Sequence, residues 1–520
     1  MNPRRRMLVK SALGAATIFG TGPLASVWAQ SDGTLKLLRL PKLALVIGNS
    51  KYKDAPLRNP VNDASAIGKS LSSFGFSVVT KLDAGRDELA SAVASYVKEV
   101  AARQCVGLFY YAGHGVQLAW RNYMLPIDAD IDTIDEVQKK AVDVNALMEG
   151  LTKASNPLNV VILDACRDNP FGHLKAQQRG LSQMDAPTNT LLAYATSPGN
   201  VASDGDGDNG LYTESFLAEM KVPEAKLEDV FKRVRLNVRR KSQGAQIPWE
   251  STSLEEDFYF LPPAQLKKRS NEEREAAYKA ELALWESVKS ARTTKPLEDF
   301  LRRYPSGEFS ELAQLQLDRV LASEGEKKIQ IVSAEGNPYT KGSATIDTAY
   351  KVGDRFVYDL REDIFSKVEP RRMAAEITQV TENEVIYSNG AVTDLMGNHL
   401  RRPNGVRFSP NQSVPLEFAV GKQWVTRYTT FLPSGEGHET WMRFKIVARE
   451  QIRVPAGTFN AFRTEWLGQA NAAMGVAKLW GKRWDDPSVI RSSIKIEIHR
   501  QAGNRYLEAS LRELVAFRQS

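Results

Sequence analysis

Cys166 and His114, fifty-two positions apart, are the residues of this chain best suited to covalent chemistry. A thiolate attacks a carbonyl far better than a thiol does, and a nearby imidazole both favours the thiolate and protonates a leaving amine. Each residue stands at the end of a short apolar run. VGLFYYAGHG ends in His114 and Gly115, NVVILDAC ends in Cys166, and Gly or Asn/Pro punctuation follows each. Such runs read as strands buried on both faces, so both residues are expected at strand ends. In an open parallel sheet, ligands bind in the crevice outside the carboxyl ends of the strands. A lone cysteine is more often a small buried hydrophobe. Here a matching His, one of only five in the chain, favours a Cys/His pair.

The elements that must position the pair alternate between strand and helix signals over residues 43 to 260. LALVIGN (43–49), FSVVTKLD (76–83), the two reactive runs and LLAYATS (191–197) read as strands, and DFYF (257–260) closes the unit. Helices are expected at 62–75, 86–102, 143–154, 213–220 and 226–242, with a hairpin around GVQLAWRNYMLP. This alternation implies right-handed crossovers and a mainly parallel sheet with helices on both faces. Residues 270–325 are rich in Glu, Lys, Ala and Leu and read as helices, a spacer or one repeat-like unit. Residues 340–520 alternate apolar and polar between Gly, Asn and Pro turns, which predicts an all-β sandwich or barrel.

YYAGHG and DACRDNP together resemble the two active-site motifs of the caspase-like cysteine peptidases, particularly the bacterial metacaspase-type members called orthocaspases. The resemblance covers about residues 41–262 and implies a six-stranded α/β sheet with the His and Cys strands adjacent. It also implies endopeptidase activity, with His114 and Cys166 catalytic and the backbone N–H groups of Gly115 and Cys166 forming the oxyanion hole. Specificity rests on two acids. Asp164, two residues before the nucleophile, shares its strand face by alternation, and a carboxylate there is costly unless it meets a cation. Metacaspase-type enzymes carry Asp at that position and cut after Arg or Lys. Asp63 falls at the other family position of the basic-residue pocket, although a helix N-cap is its plainer reading, and Arg58 stands nearby as a competing cation. The polar stretch after Cys166 is where caspases carry a processing linker, and it offers Lys175 and Arg179 for autocleavage. His173 is the alternative imidazole, and Asn169 a candidate to orient His114. A catalytically silent scaffold on the same fold is the competing reading, whereas a serine hydrolase lacks its G-x-S-x-G elbow.

Composition sets the remaining expectations. At 520 residues, 42% hydrophobic and 25% charged, the chain can build more than one core. Its net charge is +7, but Arg4, Arg5, Arg6 and Lys10 supply four positives before the first acid, leaving +3. That, with no basic run interleaved with aromatics, argues against nucleic acid. RRRMLVK, an uncharged stretch and Val27-Trp28-Ala29 resemble a cleavable twin-arginine export signal (1–30), with a membrane anchor as the alternative. A periplasmic or secreted location follows. Cys105 opens the strand that His114 closes, so it is too far from Cys166 for a bridge. SDGDGDNG (203–210) starts like a calcium loop, but Asn209 and Ser215 stand where an EF-hand needs Gly and Glu. No cofactor is expected. Calcium activation is left open by the resemblance. His399, His438 and His499 lack metal-ligand spacing and read as surface residues. The β region is open to a protein or envelope partner, and the oligomeric state is not legible.

Overall fold

The computed structural model describes residues 30–166, 180–198, 200, 207–264, 270–326, 335–472 and 475–520. The export segment up to residue 29, Asn169, His173 and the cleavage candidates Lys175 and Arg179 lie outside the described residues.

The first unit is an α/β sheet. β1 (Lys42–Gly48), β2 (Ser77–Leu82), β3 (Val106–Leu118), β6 (Leu158–Cys166), β7 (Thr190–Tyr194) and β8 (Trp249–Thr252) line up in the order β2-β1-β3-β6-β7-β8. The first five are parallel and β8 is antiparallel. The run KLALVIG, apolar at nearly every position, is buried almost throughout, as a strand covered on both faces must be. One face packs on α2 (Pro60–Ser73), α6 (Leu211–Glu219) and α7 (Leu227–Lys241), and the other on α3 (Arg86–Arg103) and α5 (Val144–Ala154). β4 (Arg121–Met124) and the two-residue β5 (Val142–Asp143) extend from β3 as a hairpin.

Two expectations about strands are corrected. DFYF is not the closing strand: WEST (Trp249–Thr252) is, and of DFYF only Tyr259 makes an isolated bridge, to Lys226. Phe258 and Phe260 are buried instead as packing aromatics. His114 also does not end its strand. β3 continues to Leu118, because the polar residues after the motif pair with β4 rather than breaking into a loop.

The helical segment is packed rather than a free spacer. α8 (Asn271–Val288), α9 (Thr294–Arg303) and α10 (Ser310–Ser323) bury Trp285, Phe300 and Phe309 with Leu236 of α7 and with Met396 and Leu416 of the C-terminal domain. Arg240 pairs with Glu298 at 2.6 Å, and Arg239 pairs with Asp318 at 2.5 Å and with Glu326. Beyond it, twelve antiparallel strands between Arg355 and Arg518 form a closed barrel, which resolves the choice between sandwich and barrel. Closure leaves no free sheet edge.

At the junction of helices and barrel, Glu281 accepts the Phe309 N–H at 3.0 Å. Burial pushes its carboxyl up to about 7, and burial does the same to Glu308, where Arg427 opposes the rise and Glu281 adds to it. Both acids bind protons more tightly folded than unfolded, so their contribution to stability is greatest below about pH 4.5 and is lost as pH rises toward 7. Glu281→Gln keeps an acceptor without the charge. Its thermal midpoint is expected to exceed wild type at pH 8 by roughly 2–4 °C and to equal it at pH 4.5, which unfolding scans at both pH values would check.

Candidate active site

β3 and β6 run side by side in parallel register, with Val106 opposite Leu158 and, eight positions on, His114 opposite Cys166. The two backbones that carry the reactive residues are therefore neighbours where the pairing of β3 with β6 ends. The same register sends Cys105, buried and reduced, to the opposite end of the sheet. Nine strand residues put the cysteines about 30 Å apart, far outside disulfide reach.

His114 is 3% exposed and held from three sides. Its Nε2 lies 2.8 Å from the Ala55 carbonyl. A carbonyl only accepts, so Nε2 carries a proton and donates it there. The His114 N–H donates to the Tyr52 hydroxyl at 2.9 Å, and the Tyr111 hydroxyl donates to the His114 carbonyl at 2.7 Å. Tyr52 also lays its ring against the imidazole, centroids 4.5 Å apart. Asn49, fully buried at the end of β1, ties this layer together by accepting from the Ala84 N–H and donating to the Leu125 carbonyl.

Both glycines around His114 have structural reasons. Gly113 adopts φ +153, and a Cβ there would lie 2.5 Å from the Tyr52 hydroxyl and 2.8 Å from that of Tyr111. Gly113→Ala is expected to cost about 2 kcal/mol, measurable by denaturant unfolding; an unchanged stability would show that the tyrosines yield freely. At Gly115 the space a Cβ would take is filled by Leu181 and Ala165, at 3.0 and 3.1 Å. Its N–H is nonetheless well directed. Leu125 N donates to the His114 carbonyl, so Gly115 and Met124 are a non-hydrogen-bonded pair. Gly115 N–H therefore points away from β4, toward the strand of Cys166.

The two acids meet around one tyrosine. Asp164 accepts the Thr213 hydroxyl at 2.7 Å and the Tyr110 hydroxyl at 3.1 Å, while Tyr110 and Thr213 lie 2.6 Å apart. Asp63 is 3% exposed and accepts the Gly210 N–H at 3.0 Å. It is no N-cap, since that position belongs to Asn59 and Asp63 sits inside the first turn of α2. Burial first, then Asp164 and Asp63, push the Tyr110 phenol well above its ordinary range, which keeps it protonated as a donor. Sequence reasoning missed Tyr52, Ala55, Tyr110 and Thr213. Ala55 acts through its backbone and carries no residue-type signal at all. Among the described residues no cluster of His, Cys, Asp and Glu is arranged to hold a metal ion, and no helix is long and apolar enough to cross a membrane.

A parallel sheet with an antiparallel closing strand, and a His and a Cys on its two central neighbours, defines a caspase-like α/β domain. Residues 41–259 match the family model of the caspase domain, Peptidase C14. Over 186 residues the chain is 29% identical to mucosa-associated lymphoid tissue lymphoma translocation protein 1 of Homo sapiens, and as similar to its Mus musculus homolog. The match covers 35% of this chain and 21% of each relative.

Proposed function

We propose that residues 41–262 act as a cysteine endopeptidase that cuts protein substrates after Arg or Lys. The observation that supports this most is the register that sets His114 opposite Cys166, with the half-buried Asp164 bonded to Tyr110 and the buried Asp63 near it. In this reading His114 Nδ1 takes the Cys166 thiol proton, and the Ala55 carbonyl holds the resulting imidazolium through Nε2. The thiolate adds to the scissile carbonyl, and the oxyanion is met by the N–H groups of Gly115 and Cys166. The imidazolium returns its proton to the leaving amine as the C–N bond breaks, and water then hydrolyses the thioester. Asp63 and Asp164 face the substrate's guanidinium or ammonium, a match that favours Arg for its planar bidentate geometry.

The export signal read at the amino terminus would place this activity in the periplasm or outside the cell. The test is hydrolysis of fluorogenic peptides ending in Arg, Lys or Asp, with and without calcium. Cleavage after Arg or Lys supports the proposal. Cleavage after Asp alone removes the acidic-pocket argument, and no cleavage of any peptide favours a scaffold.

A further inference from the structure

The barrel has two chemically distinct faces. Cross-strand partners project to the same side of a sheet, and successive residues alternate. Val425, Arg443, Leu467 and Trp480 make one row. Val425 and Leu467 are 41% and 46% exposed, and Arg427 on the same face lies over the Tyr278 ring of α8. That exposure, and the packing of α8 with α9, α10 and Leu236 of α7, make this face the outer one. The opposite face lines the lumen.

Water reaches that lumen. Trp424, Tyr428, Leu479, Ile498, Arg500 and Arg512 all belong to the inner face, yet each keeps partial exposure. A close-packed interior would bury such side chains completely.

Its charge is unbalanced. One inner row passes through Thr464, Arg483 and Arg512, and the next through Met442, Leu479, Arg500 and Glu508. Arg483 is paired with Asp485 at 2.7 Å, and Glu508 takes the Ser510 hydroxyl. Arg512 lies over the Tyr358 ring at 4.6 Å, and Arg402 over Phe408 at 5.3 Å. Four guanidinium groups thus face two carboxylates. Nε of Arg500, Nε of Arg512 and Oγ1 of the fully buried Thr464 have no hydrogen-bond partner among the described residues. Unsatisfied donors and unpaired cations are costly away from bulk water, and an anion would satisfy them.

We propose that the lumen binds a single-chain amphiphile with an anionic head, a carboxylate or a phosphate monoester. The arginines take the head by charge-assisted hydrogen bonds, and Met442, Leu479 and Ile498 take the chain. The site is separate from the peptidase reading and does not depend on it.

Decanoate, decyl phosphate and uncharged decanol, titrated into the full chain by calorimetry, test this. At least one anion is expected to bind saturably and ten times or more tighter than decanol. Decyl phosphate above decanoate assigns a phosphate head, and the reverse order a carboxylate. Arg500→Gln with Arg512→Gln should weaken the anion by about tenfold for each guanidinium lost, while Arg443→Gln on the outer face leaves it unchanged. Equal affinity for decanol, no saturable binding of either anion, or wild-type affinity in the folded double variant would each overturn the proposal. Should the double variant not fold, the comparison of anions with decanol on the wild type decides.

Discussion

Cys166→Ala is expected to lower kcat/KM toward Arg-ended peptides by about 10⁴-fold or more, to the level of the uncatalysed background. The thiolate forms the only covalent bond that the proposed reaction makes to the substrate, and no described side chain near His114 offers a second nucleophile of that reactivity. His114→Ala is expected to leave somewhat more activity at high pH, where a thiol near its ordinary pKa ionises without help. That difference separates a nucleophile from its base. Progress curves over pH 6 to 9 for both variants measure it. Residual Arg-directed turnover in Cys166→Ala within a hundredfold of wild type would remove Cys166 from the mechanism.

The sheet was legible because its central strands are buried on both faces, which makes their sequences continuously apolar. The same rule misled at two places. DFYF is apolar because it packs Phe258 and Phe260 into the core beside α6 and α7, not because it pairs along a strand. WEST closes the sheet as an edge, where alternation over four residues carries almost no signal. That His114 and Cys166 stand on neighbouring strands was legible from the two matching apolar runs. What holds His114 was not. Its positioning depends on a backbone carbonyl at Ala55 and on tyrosine hydroxyls that reach it from other elements, and a sequence prints neither carbonyl directions nor distances between strands. The barrel illustrates the complementary limit. Alternation marks which residues share a face, but only closure decides which face is inside. His499, read as a surface residue, does lie on the outer face opposite Trp480, but that ring stacks over it at 5.0 Å and leaves it 8% exposed.

Asp164→Asn is expected to reduce kcat/KM for Arg-ended peptides by about 10²- to 10³-fold, the range of one lost charge-assisted bidentate contact in a partly desolvated site. Asp164 Oδ2 takes the hydroxyls of both Thr213 and Tyr110, so its carboxylate is fixed by β3 and α6 rather than by the substrate. An amide there keeps an acceptor for one hydroxyl but removes the charge, and a guanidinium brought beside it is no longer neutralised. Asp63→Asn should cost less, because its Oδ1 already accepts the Gly210 N–H and an asparagine oxygen preserves that contact. Both variants should lose Arg more steeply than Lys, since only the planar fork uses two acceptors at once. The loss is expected mainly in KM if the pocket only binds, and in kcat as well if remote binding energy aligns the scissile bond over Cys166. An Asp164→Asn enzyme with wild-type kcat/KM for Arg would place the specificity pocket elsewhere and leave the half-buried carboxylate a structural partner of Tyr110 and Thr213.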